Sequence, residues 1–399
     1  MSQRRVLFVV DSLDRFGATR QIDLLTKGLS NEFDIHIAVL GLCRETVSGK
    51  ALAAGSSRLG PAASALPLID NDDSRSFHFL GASGSANNIR SLTRSGFRLR
   101  KLIQKLQPQI LHAWCQPAER VVLSASIEFD SIQKFVTELY VRPSTNMTLE
   151  AIDRKLGTPV KHYIVPHEEV KKSLVSHQYP ADKIEIVAGA IGASSVDPTI
   201  ARRKLIQLIG FGEDINIAGA VAPLVPRSRL KDLIWATDLL TCIRDDVHFV
   251  IFGRGSQRKR LERFAFQTEA GDHIHFIDSE VHSFDLIPGL DFFWQSHLNE
   301  PLPSAMHHAM QNDVPIVSVF GPGTKELLTP QETGFAANFG ARDEFARWTK
   351  FLLEKPDEAR QLAEQGRASV EGKFPVAEMV DGYRELYSCL LYTSDAADE

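Results

Sequence analysis

What this chain has little of narrows it first. It carries 4 cysteines in 399 residues, Cys43, Cys115, Cys242 and Cys389, far apart and with no Cys-x-x-Cys spacing. That pattern suits neither a disulfide framework nor a structural zinc site. No apolar run approaches the ~20 residues that a membrane-spanning helix needs. The first apolar run, Val6–Val10, falls short of the ~7–15-residue core of a signal peptide. A cytoplasmic protein is therefore expected, and the sequon Asn146-Met-Thr148 carries no weight without an export signal. Charge of one sign is also missing in bulk. Lys and Arg number 45 against 50 Asp and Glu, a net charge of −5, which gives no ground for general nucleic-acid affinity.

What is present is globular, with 43% hydrophobic and 24% charged residues, in a chain too long for one ordinary core. Apolar strand-like runs alternate with helix-like segments. Strands are expected at Val6–Val10, Ile35–Leu40, Ile110–Ala113, Lys161–Val165 and Ile184–Val187, with helical spacing at Arg20–Leu29 and Phe97–Leu106. The stretch from about Gly41 to Ala86 is rich in Gly, Ser and Ala and reads as a long excursion. After Gly192–Pro198 the alternation restarts, with strands at Ile215–Ala222, Val247–Phe252, His275–Ile277, Asp291–Trp294 and Pro315–Val319. Helices are expected at Lys231–Leu240, Asp343–Leu353, Pro356–Gln365 and Ala377–Leu391, and one begins at Gln257. Strands separated by helices imply parallel βαβ units. The fold class is α/β, two doubly wound Rossmann-like domains closed by C-terminal helices. The expected boundaries are 1–192 for the first domain, 193–375 for the second, and 376–390 for a helix packing back on the first. The aperiodic tail 391–399 is set outside the fold.

Several segments carry chemistry. Leu290-Asp-Phe-Phe-Trp294 is a strand that stops just before Glu300, with a helix opening behind it, so a carboxylate stands where polar ligands meet open α/β sheets. Gly253-Arg254-Gly255 follows a strand as a glycine turn, and Gly321-Pro-Gly323-Thr324 is similar in form. Arg227, Arg229 and Lys231 crowd one loop. His307 and His308 are neighbours on a helix and do not share a face, which speaks against a two-histidine metal site. Arg98, Arg100, Lys101 and Lys105 make a basic amphipathic segment, either a solvated face or a surface that docks on an anionic membrane.

In succession these segments resemble the GT-B nucleotide-sugar glycosyltransferases, specifically the retaining group called family 4. Val9-Val-Asp-Ser-Leu13 with Phe16-Gly17-Ala-Thr-Arg-Gln21 is similar to that family's first strand and Gly-Gly-Ala-Glu-Arg loop, with one glycine of the pair kept. Gln107–His112 resembles its Pro-Asp-Ile-Val-His strand, and Ile251–Glu262 its Gly-x-Gly-x-x-Arg-x-x-Leu-Glu element. Thr333-Gly-Phe335 and the closing Phe374, Tyr383 and Tyr387 appear in family order. The resemblance implies two domains facing a cleft, with the nucleotide sugar on the second and the acceptor on the first. It implies a hexosyl transfer with retention and no catalytic metal or cofactor. The donor would be a UDP- or GDP-sugar and the acceptor a saccharide or a lipid-linked one, with peripheral contact at the inner membrane face. Glu300 and His112 would be catalytic, and Gly17, Arg227, Arg229, Gly253, Arg254, His308, Gly323 and Thr324 would line the donor site.

The chain departs from that pattern where the family holds its diphosphate and ribose. The family's Arg and Lys pair falls on Pro223 and Ser228, and its second helix acid on His308. A carboxylate can accept two ribose hydroxyl protons and a neutral imidazole one. Two alternatives to a transferase therefore stand: a degenerate GT-B protein acting as a binding or assembly partner, and a GT-B sugar epimerase.

Overall fold

The computed structural model describes residues 3–11, 18–41, 75–82, 89–139, 160–192, 196–277, 283–298, 303–321 and 323–389. Contacts divide the chain into two compact units, one of Met1–Ala190 with Phe374–Glu399, the other of Ile191–Lys373. Each is built on its own parallel sheet.

The first sheet holds β1 (Arg4–Val10), β2 (Phe33–Gly41), β3 (Arg75–Ala82), β4 (Ile110–Trp114), β5 (Gln133–Thr137), β6 (His162–Val165) and β7 (Ile184–Ile186). Their order is β3-β2-β1-β4-β5-β6-β7. Helices α1 (Ala18–Leu29), α2 (Ile89–Leu106), α3 (Gln116–Ala125) and α4 (Glu168–Ser176) supply the crossovers. Val6–Val10 and Ile110–Trp114 are buried on both faces, the pattern of central parallel strands covered by helices on each side. Strand β3 lies inside the stretch expected to be a long excursion, where no strand was expected. Its polar alternation, Arg75-Ser-Phe-His-Phe, suits an edge strand, and its first residue is fixed by contacts no local pattern reveals. The buried Arg75 guanidinium donates to Asp23 (2.8 Å) and to the Thr26 hydroxyl (3.0 Å) on α1.

The second sheet runs β10-β9-β8-β11-β12-β13. Its strands are β8 (Asn216–Val221), β9 (Val247–Phe252), β10 (Ile274–Ile277), β11 (Phe292–Gln295), β12 (Ile316–Val319) and β13 (Phe335–Ala337). Around it lie α5 (Pro198–Ile209), α6 (Leu230–Thr241), α7 (Arg258–Phe266), the single turn α8 (Ser283–Leu286), α9 (Ser304–Gln311), α10 (Arg342–Glu354) and α11 (Pro356–Val370). Helix α5 shows how local sequence sets its limits. The Asp197 carboxylate accepts from the Thr199 and Ile200 amides (2.7 and 3.3 Å), Pro198 opens the first turn, and Gly210 closes the last with φ 77°.

The last helix, α12 (Val376–Cys389), belongs to the first unit. Met379, Val380, Tyr383 and Tyr387 complete a core with Ile22, Leu25 and Leu29 of α1 and Phe8, Ile35 and Phe135 of the sheet. Within that core the Tyr387 hydroxyl meets His112 Nδ1. His112 Nε2 lies 2.7 Å from Thr137 Oγ1, which lies 3.0 Å from the Tyr383 hydroxyl.

The two sheets share a detail at the same edge. His36 Nδ1 is 3.0 Å from His78 Nε2 across β2 and β3, and His248 Nδ1 is 3.0 Å from His275 Nε2 across β9 and β10. The ring centroids lie 5.2 Å apart in both pairs, with interplanar angles of 29° and 27°. Since a ring nitrogen sits roughly 1.1 Å from its centroid, the two nitrogens point at one another, the geometry of a single N–H···N hydrogen bond.

Candidate functional site

In an open parallel sheet the place for a ligand is the carboxyl edge where strand order reverses. In the second unit that point lies between β8 and β11. The loops leaving these strands and their neighbours interlock through backbone. After β8, the Ser228 hydroxyl donates to the Pro223 carbonyl (2.6 Å), and the Ser296 hydroxyl just beyond β11 donates to the Ser228 carbonyl (2.6 Å). The Leu224 amide donates to the Arg254 carbonyl and the Gln257 amide to the Leu224 carbonyl, both at 2.8 Å, tying the β8 loop to the β9 loop.

Gly253 and Gly255 are glycines because of this interlock. A Cβ on Gly253 would stand 2.0 Å from the Ala222 carbonyl oxygen. One on Gly255, at φ +155°, would stand 2.5 Å from that of Leu224. Neither clash can be relieved by a side chain swinging away, since the opposing atoms are backbone. We expect Gly253→Ala to cost about 1–3 kcal/mol in the second unit and to shift the 222–224 loop. Hydrogen exchange at the Ala222, Leu224 and Gln257 amides checks this, and unchanged protection would contradict it.

The expected site residues divide by placement. Thr324 is buried, its hydroxyl 2.9 Å from the Val319 carbonyl and accepting from the Gly321 amide at 2.8 Å. It closes the turn that Gly323 enters. Arg229 opens α6 at φ 51°, its Nε 2.5 Å from Asp232 and its guanidinium over the Phe339 ring. Asp232 is buried and is also paired with Arg342 at 3.0 Å. Arg229 is thus held against the start of its own helix. Arg227 is exposed. Arg254 is half-buried at the carboxyl end of β9, and among the described residues it has no ion pair. His308 is buried and donates from Nε2 to the Phe284 carbonyl (2.9 Å), which accounts for an imidazole there on packing grounds. Gly17 and Glu300 lie outside the described residues.

His112 requires a correction. It was expected to face an acceptor from the end of its strand. Instead it lies at 0% exposure under α12, and both ring nitrogens are taken by Tyr387 and Thr137. Burial pushes its pKa down to about 3, so the ring is neutral and donates from one nitrogen while accepting at the other. Its place is structural.

Other residues at these edges are not among the expected site residues. Gln295 ends β11 and Ser296 and His297 follow it, all three buried, in the run leading to Glu300. In the first unit the order reverses between β1 and β4. Asp11 stands beyond β1, its carboxyl pKa raised by burial. Cys115 stands beyond β4 at φ 69°, ψ 167°, a region that is almost glycine's alone. No motif marks Cys115, because the signal for such a backbone is usually a glycine and here there is none. No group of three or more His, Cys, Asp or Glu side chains among the described residues is arranged to hold a metal ion.

Comparison with known proteins shows what this chain is similar to. Residues 201–369, which carry the whole crevice of the second unit, match the model of the glycosyl transferases group 1. EpsD of Bacillus subtilis, a glycosyltransferase by name, is 27% identical over 194 residues, 48% of this chain and 50% of its own length. The lipopolysaccharide core biosynthesis glycosyltransferase LpsE of Rhizobium meliloti is 23% identical over 173 residues, 43% of this chain and 50% of its own. The chain therefore spans about half the length of the curated relatives it matches. Among solved structures, Anabaena HepE in complex with UDP-glucose superposes with a TM-score of 0.73 at 16% identity, over 96% of this chain and 99% of that one. Sucrose-phosphate synthase from Thermosynechococcus elongatus gives 0.75 at 14% identity, over 98% and 100%. At such identity the likeness is one of fold. The chain has two Rossmann-like domains in the fold of these solved glycosyltransferase structures, and its residues 201–369 are similar to the glycosyl transferases group 1.

Proposed function

We propose that this protein transfers a hexosyl group from a nucleotide sugar to a saccharide or lipid-linked acceptor, with retention and without a catalytic metal. The observation that carries this reading is the crevice floor between β8 and β11, locked in backbone, with the half-buried Arg254 at its rim lacking an ion pair among the described residues. Cleavage of a sugar–phosphate bond loads negative charge on the departing diphosphate, and a fixed cation in a preorganised setting stabilises that charge. Arg254 takes this role, with Arg227 as the second nearby cation and Glu300 toward the donor sugar. The nucleotide complexes of HepE, with UDP and with UDP-glucose, favour a uridine donor. The acceptor belongs to the first unit.

Calorimetric titration with UDP-, GDP- and ADP-sugars tests the reading. One of them should bind, and Arg254→Ala should weaken it by about 10–100-fold, the loss of one charge-assisted hydrogen bond. Transfer should fall by about 10²–10³ in the same variant and should be lost in Glu300→Ala. No binding by any of the sugars overturns the proposal.

A second reading, a donor-site fold kept for binding or assembly, is favoured by one observation. Where the resemblance calls for two cations, Pro223 and Ser228 close a hydrogen-bonded loop on each other. Donor binding with no transfer or hydrolysis, equal in wild type and Glu300→Ala, would select it.

A further inference from the structure

Helix α6 is apolar on both sides. Its inner face, Leu233, Ile234, Ala236 and Leu240, is buried in the core of the second unit. On the outer side Trp235, Leu239 and Ile243, four residues apart, are 37%, 40% and 58% exposed, and Cys242 is exposed beside them. Ile243 lies in the turn that continues the helix. At 100° per residue these four fall within about 100° of arc and extend about 12 Å along the axis. A surface helix turns a polar face outward, whereas one that is apolar all round belongs under a cover. Trp235 is already held in place, with the Phe264 ring of α7 tilted against it at 6.1 Å and the Arg342 guanidinium of α10 over it at 5.3 Å. The stripe carries opposite charges at its two ends. Lys231 stands one turn before Trp235, its Nζ 4.6 Å above the Phe264 ring. Asp245 is exposed two residues beyond Ile243, while Arg244 between them is turned to Asp246 at 2.6 Å.

We propose that a second copy of this chain covers the face, α6 lying antiparallel to α6 about a two-fold axis level with Thr237. A two-fold contact must be complementary to itself, and this stripe is. The axis sets Trp235 of each copy across from Leu239 of the other, and brings Lys231 within one helical turn of the other copy's Asp245. A parallel pairing would instead set Lys231 against Lys231 and Asp245 against Asp245, with the helix dipoles aligned. The large aromatic near the centre is the kind of side chain that carries most of the energy of such a contact. At about 12 Å by 10 Å the stripe is far smaller than the ~800 Å² per partner of a stable complex, so the pairing is reversible. It stands apart from the transferase reading, since neither donor nor acceptor enters it.

The test is sedimentation velocity of the full chain, from low micromolar to several hundred micromolar, in the absence of any sugar nucleotide. A concentration-dependent equilibrium between monomer and dimer is expected. Leu239→Lys/Ile243→Lys should raise its Kd by about tenfold or more. Thermal unfolding of that variant at low concentration should match wild type, because both side chains face solvent. Lys231→Glu and Asp245→Lys should each weaken the dimer several-fold, and the two combined in one chain should restore it, because the exchanged charges meet again across the axis. A protein that stays monomeric throughout overturns the proposal. So does a dimer that Leu239→Lys/Ile243→Lys leaves unchanged, or a pair of charge exchanges whose losses add instead of cancelling. Loss of the dimer in Phe266→Lys on α7, where the ring is also exposed, overturns it as well if the α6 variants associate normally.

Discussion

Tyr387→Ala should unfold the first unit under conditions where the second stays intact. Tyr387 is 0% exposed; its ring lies edge-on to Phe33 and Phe135, and its hydroxyl meets His112. Removing a buried aromatic ring costs about 3–5 kcal/mol, a large share of the ~5–15 kcal/mol that holds a domain. Tyr387→Phe keeps the ring and deletes one oxygen, leaving a polar atom of His112 without its partner at a cost of about 1–3 kcal/mol. Hydrogen exchange separates the two units. Amides of β1, β4 and α1 should lose protection in the order wild type, Phe, Ala, while those of β8 and β9 do not change. A uniform loss across both sheets, or none, would contradict this placement of α12.

Mild acid should destabilise the protein steeply, through its histidines. Burial pushes His112 down to about 3 and is the main cause that pushes His78, His248, His275 and His307 down to about 4. In the unfolded chain each would take its proton near 6.5. Between the folded and unfolded values only the unfolded chain is protonated, so this stability is complete above about 6.5 and is lost as pH falls toward 4 and then 3. His112 alone accounts for about 2 kcal/mol at pH 5, at 1.36 kcal/mol per unit. The paired imidazoles add to it. One N–H bridges His36 and His78, and one bridges His248 and His275, so protonating both rings of a pair removes the acceptor and sets two cations against each other. The surrounding charges do not cancel this. Asp34 favours the charged form of His36 and Asp246 that of His248, yet Arg5, Lys105 and His273 oppose it. Denaturant midpoints at pH 7.5, 6 and 5, with proton uptake on unfolding read by calorimetry in two buffers, check the sign. A flat profile over that range would refute it.

The sequence speaks unevenly about this fold. Central strands were legible because burial on both faces leaves an unbroken apolar run, as in Val247–Phe252, which begins and ends where expected. Strands with a polar opening were not, although the short edge strands Ile184–Ile186 and Ile274–Ile277 fall close to where they were expected. Arg75–Ala82 alternates polar and apolar residues amid Gly- and Ser-rich sequence, and its burial depends on Asp23 and Thr26, some 50 positions away. Gln133–Thr137 has the same polar opening. At the carboxyl edge of the second sheet the glycine turns and strand ends were legible, but a sequence does not say which partner a side chain takes. Arg229 and Arg254 read alike in sequence; a carboxylate three residues on claims the first, and none among the described residues claims the second. His112 looked like a cleft residue for a similar reason. Its partners Tyr383 and Tyr387 come from the far end of the chain, beyond the reach of any local pattern.

That distant partnership also orders events during synthesis. The second unit is continuous from Ile191 to Lys373, whereas the first lacks one wall of its core until α12 has been made. At about 5–20 residues per second, the ~180 residues in between take roughly 10–40 s to emerge from the ribosome. Through that interval Ile22, Leu25 and Leu29 have no α12 to cover them. The half of the protein translated first is therefore the half that folds last, and it is the one with most to gain from a chaperone that holds nascent chains.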